Sequence, residues 1–533
     1  MPKSLATLIL VLVLAACGGQ PASDGAILVR GDGPEPETLD PQKARTVEAQ
    51  TVLRDLCEGL TVLDKKASAA PGIAQSWTVS SDGKTYTFTL RPNARWSNGD
   101  RIVAADFVAG FRRLVDPATA SEYAEVVNVI VNAEEIIAGK KPPDSLGVTA
   151  PDDATVSINL VSPTAYLPAL VSHDSTCPVH RPTLAQHAET FARAGTMVSS
   201  GAFVLSQWVQ GTQIVLKRNP YYWNNAANHI DGVRYLLIAD ENAELARYRS
   251  GELQITAVVP RGQFDWIKAN LAAELHISPQ LDTYFYAFNL QRPPFKDNLP
   301  LRRALSLVID REKLAQFVLR VGEIPAYGWV PPEVNDYSPQ SFDYARTSMT
   351  ERIAEARRLY TQAGYSAAKP LHFELRYNPG EVHEKMALAV ASMWKEALGV
   401  DVQLASEEFK SLLQEIESPN NAIQMFRSGW VGDYNDANTF AQYLTSSFGA
   451  NLPRYRNPEY DALVAQAATE PDQGKRRALL EQAEGVVLHD HPLIPLYFYV
   501  NKHLVKPEVE GWYDNVMNVV YSRDLALRGR SRE

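Results

Sequence analysis

The chain has 533 residues, 45% of them apolar, enough for two or three domains with sizeable cores. A net charge of −10 and the lack of any basic run argue against a nucleic-acid partner. Other than the extreme N-terminus no apolar segment approaches the length needed to cross a membrane.

The N-terminus has the form of an export signal: Lys3 precedes an apolar run from Leu5 to Ala16 that is too short for an ordinary spanning helix. Leu14-Ala15-Ala16-Cys17-Gly18 resembles the lipobox of bacterial lipoproteins. That resemblance implies cleavage before Cys17, lipid attachment to its thiol, and a membrane-tethered body. Only Cys57 and Cys177 remain after it, too few for a disulfide framework. One bridge between them is open, and the default expectation is two buried free thiols.

A flexible tether is expected to Gly25, followed by a short strand over Ile27 to Arg30 and a helix from Val47 to Leu60. Trp77 to Val79 and Tyr86 to Leu90 alternate about Ser80-Ser81-Asp82-Gly83, a hairpin. A helix over Ala104 to Leu114 closes at Asp116-Pro117, and Thr155 to Leu160 alternates as a strand. Strands follow at Phe203 to Leu205, Ile214 to Lys217 and Val233 to Ile238, then a helix from Glu241 to Ser250 stopped by Gly251. That order suits a parallel α/β sheet. Pro300 opens a helix with Leu301, Leu305 and Val308 on one face. Thr350 is expected to cap the next helix, and Met386, Val390, Met393 and Ala397 form the core stripe of a third. Leu493 to Val500 reads as a buried strand.

No catalytic or metal motif emerges. His383-Glu384 begins like a zinc-protease motif, but Ala387 stands where the second His should be. His489 and His491 fall on one side of an expected strand without familiar partners. There is no Gly-x-Ser-x-Gly elbow and no phosphate loop. No cofactor is expected.

Met425 to Asp436 is the most informative stretch. As a strand, it puts Arg427, Gly429, Val431 and Asp433 on one face and Trp430 on the other. A cation, small positions and a carboxylate in line suit a zwitterion lying alongside. A core strand whose Arg427 and Asp433 pair with each other fits these residues equally well.

From about Leu28 to Pro507 the chain resembles the peptide-binding lipoproteins and periplasmic proteins that feed ABC importers, solute-binding protein family 5, and within it the oligopeptide-binding branch. The segments that carry this are Glu58-Gly59-Leu60, Leu90 to Gly99 with Ala105-Asp106-Phe107, Gly201-Ala202-Phe203, and Asn219-Pro220-Tyr221-Tyr222-Trp223. Pro294-Phe295, Leu301 to Leu305, Asp310-Arg311 and Gly429 to Asn435 complete them. The resemblance implies a type II periplasmic-binding-protein fold: two α/β lobes joined by a hinge, with an additional inserted domain. Its expected divisions are 1–16 signal, 17–57 tether and start of the first lobe, 58–182 inserted domain, 183–281 first lobe, 282–499 second lobe and 500–533 return to the first.

It further implies no catalysis, short peptides as ligand, an ABC permease as partner, and a monomer. Asp433 would hold the peptide's α-ammonium, while main chain at Gly429 to Val431 (with Trp430 between) and at Arg45-Thr46-Val47 would pair with the peptide backbone. Arg427 would buttress Asp433 or meet the C-terminal carboxylate of a short peptide. His383 would neutralise that of a longer one, and Tyr123 would be a cleft aromatic. Departures from the better-known enteric members fall at Asp282 and Val431, where they have a cysteine pair, and at Arg45, Ile416, Ala257 and Val258. The inverted charge at Arg45 predicts less tolerance of basic, and more of acidic, side chains near it. Receptors of the same fold for murein peptide, glutathione or a metal chelate, and a peptide hydrolase, are the competing readings.

Overall fold

The computed structural model describes residues 25–418 and 421–529, so the expected signal, Cys17 and most of the tether lie outside the described residues. Three sheets organise the chain. In the first, Ile27–Gly33 runs parallel to Gly232–Leu237, which pairs antiparallel with Gln213–Arg218 and then Phe203–Val209. The strand expected to end at Arg30 thus continues three residues further. After Glu241–Ser250, capped by Asp240 and stopped by Gly251 at φ +81°, only Ile255 returns, as a single parallel bridge to Arg30.

The second sheet runs Ala74–Val79, Thr85–Leu90, Thr155–Asn159, Val148–Asp152. Its alternation buries Tyr86, Phe88, Leu90, Val156 and Ile158, and the helix Ala104–Val115 lays Phe107, Phe111 and Leu114 against them. Burial at this density stabilises by roughly 25 cal/mol per Å² of apolar surface.

The third sheet has six strands in the order Ile324–Pro325, Leu493–Leu504, Leu275–Phe288, Met425–Val431, His372–Tyr377, Asp401–Ser406. Side chains of Leu275–Phe288 alternate between two cores: Tyr284, Tyr286 and Phe288 enter one, Phe285 and Ala287 the other. The helices Leu299–Leu307, Met349–Gln362 and Glu381–Leu398 contribute to the first of these cores.

Two long strands link this sheet to the first. Leu275 to Pro279 pairs with Val500 to Leu504, and Thr283 to Ala287 with Leu493 to Phe498. The register breaks between Pro279 and Thr283, where ladder bonds are missing and bending is cheapest. At the far end Ile255 bridges Val505 as well as Arg30, fastening the pair to the first sheet.

Several local expectations are corrected. The helix Val47–Leu56 ends four residues before Leu60, because Cys57 turns extended and its N–H closes the last turn on Leu53. Ser348, not Thr350, caps Met349–Gln362, in a reciprocal capping box with Glu351. His489 and His491 end a helix, Gln473–Asp490, rather than lie along a strand; His489 pairs with Asp490 while His491 is buried against Phe342, so the two imidazoles diverge. Cys57 and Cys177 are not free thiols but a disulfide, Cα–Cα 6.3 Å, joining the end of the Val47–Leu56 helix to chain emerging from the second sheet.

The family segments are largely scaffold. Buried Glu58 accepts from Tyr222 Oη and Trp223 Nε1, tying Glu58-Gly59-Leu60 to the aromatic turn. Asp106 accepts from Trp96 Nε1 and from Arg181. Buried Arg302 and Arg311 spend their guanidinium groups on backbone carbonyls, including Asp490, His491 and Pro495.

Candidate functional site

Met425–Val431 pairs along its whole length with Asp282–Phe288 on one side. On the other, only Met425 and Phe426 pair, with Leu375 and Arg376, after which the two strands part. From Arg427 to Val431 one strand edge therefore has no strand partner among the described residues. Such an edge is a ready template for another extended chain. Trp430 faces away from it: its Nε1–H donates to Thr439 O at 2.8 Å and its ring packs on Tyr443 and Phe448. Its ring is partly covered by these contacts, and its main chain faces the open edge. Val431 at the strand's end is 56% exposed, and Val47 in the first lobe is 66% exposed.

Asp433 follows the strand across Gly432, whose N–H donates to Leu281 O. Its side chain is exposed and accepts no hydrogen bond from the described residues, yet the surrounding protein raises its carboxyl above the ordinary carboxylate range. It lines a recess with Arg54, Ser172, His173, Asp174 and Tyr521, drawn from three distant parts of the chain. Burial, helped by Arg54, lowers His173 to about 4, so this imidazole is neutral near pH 7. Arg54 is 4.0 Å from Asp174, whose carboxyl burial lifts to about 6. Tyr434 stacks on Tyr166 with centroids 4.5 Å apart, and Asn435 Nδ2 donates to the carbonyls of Lys66 and Ala67, so the loop carrying Asp433 is gripped from the opposite side.

Arg427 does not pair with Asp433, which removes both the core-strand pairing and the buttressing role. Its guanidinium donates to Asn378 Oδ1 and Tyr499 Oη, each at 3.0 Å, and lies over the Tyr284 ring at 4.5 Å. Tyr284 also stacks on His383. Arg427 Nη2 and Asp282 Oδ1 both lie within 4 Å of where a Cβ on Gly429 would stand. Asp282 Oδ1, Tyr284 Oη, His383 Nδ1 and Arg427 Nε are buried without hydrogen-bond partners, a concentration of unmet polar atoms beside the open edge. Burial, then Arg427, lowers His383 to about 4, while burial raises Asp282 to about 7 against the pull of Arg427.

The Asp282 shift has a stability consequence. Its carboxyl holds a proton in the fold that the unfolded chain releases near 3.8. Its contribution to stability is thus complete at low pH and is lost as pH rises toward 7, at up to roughly 1.4 kcal/mol per unit. Urea unfolding at pH 5 and pH 8 should show Asp282→Asn gaining on the parent as pH rises; parallel curves would contradict this.

Arg45 and Thr46 depart from the expected strand-like role. Both amides donate to Glu37, Thr46 caps the helix, and Val47 is already helical, so this segment offers no strand edge. Arg45 pairs with Glu122, which answers its charge. Tyr123 donates to Arg45 O at 3.5 Å and lies 4.8 Å from the His173 ring, linking the segment to the Asp433 recess. Asp282, Asn378, Tyr284 and Tyr499 were not legible as parts of one cluster; the period-two alternation of Tyr284, Tyr286 and Phe288 was the available signal.

Two sheets bridged by paired strands, with an unfilled strand edge and a cluster of unmet polar groups on the larger one, fit a two-lobed solute-binding protein of periplasmic type II fold. Residues 68–451 match the model of the bacterial extracellular solute-binding proteins, family 5, and the chain belongs to that family. It is 39% identical over 504 residues to the periplasmic oligopeptide-binding protein OppA of Escherichia coli (strain K12), covering 94% of this chain and 92% of that protein. The unliganded open form of the periplasmic murein tripeptide binding protein MppA matches with TM-score 0.89 and 38% identity, over 95% of this chain and 98% of that one. Haemophilus influenzae OppA in complex with RPPGFSPFR matches with TM-score 0.72 and 36% identity, over 95% and 99%. No helix among the described residues is long and apolar enough to cross a membrane.

Proposed function

We propose that the chain is an exported receptor that captures short peptides by their free amino terminus and main chain and hands them to an ABC permease. The unpartnered edge of Arg427 to Val431, ending beside the carboxylate of Asp433, is the observation that supports this best. A peptide added to that edge satisfies its main chain irrespective of sequence, and its ammonium meets Asp433. Arg427 lies further along the edge, where a peptide carboxylate needs a cation; His383 beside it is neutral near pH 7 and can offer such a carboxylate a hydrogen bond but no charge. Contacts from both lobes favour the closed state, so the ligand shifts an opening equilibrium about the Pro279–Thr283 break. The Cys57–Cys177 bridge supports an oxidising compartment, in keeping with the export signal and lipid attachment at Cys17. The division at 57/58, 182/183, 281/282 and 499/500, the monomeric state and the lack of catalysis belong to the same reading.

Incubation of the purified protein with a peptide mixture, followed by mass spectrometry of the bound fraction, should return intact peptides with free amino ends. Fragments would indicate a hydrolase, and a non-peptide solute would replace this reading with another of the same fold.

A further inference from the structure

A second recess, of about 340 Å³, opens on the first lobe beside Val47. It is built around the end of the Ile27–Gly33 strand. Gly31 and Gly33 flank Asp32: the Glu244 carboxylate occupies the space a side chain on Gly31 would take, and that of Glu48 stands 3.4 Å from the Cβ position of Gly33, in ordinary contact. Two acids thus stand on either side of a third, Asp32. Glu244 is spent structurally, accepting from the amides of Ala257 and Val258 and so shaping the wall that carries exposed Val258. Asp32 is only 3% exposed, lines the recess, and its Oδ2 has no hydrogen-bond partner.

The cations nearby are directed elsewhere. Arg30 donates to Val520 O and Ser522 Oγ and lies over Tyr235, while Arg54 is turned to Asp174. A buried carboxyl without a donor is costly to hold and is relieved by any cation that reaches it. Glu48 and Glu241 add negative charge at the lining, and Arg30 and Arg54, which also line it, offset part of that charge without bonding to Asp32.

We propose that this recess receives a cationic side chain, ammonium or guanidinium, from the bound peptide, with Asp32 and Glu48 as its counter-charges. The inference rests on the peptide-receptor reading and adds to it a position-specific preference. It concerns a different place from Arg45, whose charge Glu122 answers. Arg54 lines both this recess and the one that holds Asp433, which brings the pocket beside the proposed ammonium site.

The test is calorimetric titration with alanine pentapeptides carrying lysine or norleucine at each position in turn. Lysine should bind about tenfold tighter than norleucine at one internal position, and that ratio should fall to about one in Asp32→Asn and clearly decline in Glu48→Gln. Glu48 is half-buried at the start of a helix, so its variant keeps the test valid if replacement of buried Asp32 impairs folding. Equal binding of lysine and norleucine at every position, or a lysine preference unchanged in the folded variants, overturns the pocket while leaving the receptor reading intact. Failure of every pentapeptide to bind overturns both.

Discussion

Replacing Asp433 by Ala should weaken peptide binding by roughly two to three orders of magnitude. A charge-assisted hydrogen bond is worth about 1.5–3 kcal/mol net, and leaving an ammonium enclosed without its partner costs roughly 3–5 kcal/mol. The second figure governs here, because lobe closure removes water from the recess that Asp433 shares with His173 and Tyr521. Neutral His173 cannot replace the lost charge, and Arg54 repels the ammonium. Asp433 is exposed, so the variant should fold with a melting temperature close to that of the parent. Titration with one pentapeptide checks the effect; an affinity within threefold of the parent would contradict it.

Removing the Cys57–Cys177 bridge should lower stability by about 2–4 kcal/mol. The bond closes a loop spanning 120 positions, which contains the entire second sheet. Such a long loop gains much conformational freedom when the chain unfolds without it. The bridge also fixes the chain beside Asp174 and His173: Gln42 Nε2 donates to the carbonyls of both Ser175 and Cys177. The double variant Cys57→Ser/Cys177→Ser avoids stray thiols. Guanidinium unfolding should show a lower midpoint, and an unchanged midpoint would show that the bond is dispensable.

What the sequence makes legible follows from the range of the forces involved. The helix Glu241–Ser250 was readable to the residue because Asp240 and Gly251 punctuate it locally. The hairpin about Gly83 was readable for the same reason, with Ser80 and Asp82 bonding inside the turn. Ser348 and Thr350 can both cap, and the reciprocal bond with Glu351 decides for Ser348. Contacts across hundreds of residues left no such mark. The pairing of Cys57 with Cys177, the gathering of Arg54, His173 and Asp433, and the position of Asp282 over Gly429 all depend on how the sheets meet. Period-two alternation put Arg427 and Gly429 on one face, but not what that face meets: the cation turned to Asn378 and Tyr499 rather than to Asp433. Arg45 to Val47 failed as a strand edge because Glu37 captures two amides that an edge needs free.

The claim that matters most is that one carboxylate at the end of an open strand edge recognises a free amino terminus. The direct measurement is a calorimetric comparison of a single pentapeptide with its N-acetylated form, on the parent protein and on Asp433→Asn. Acetylation should weaken binding to the parent by roughly a hundredfold or more, and should cost Asp433→Asn far less, because the two changes remove the same interaction. Equal affinity of the free and acetylated peptides for the parent would contradict the account.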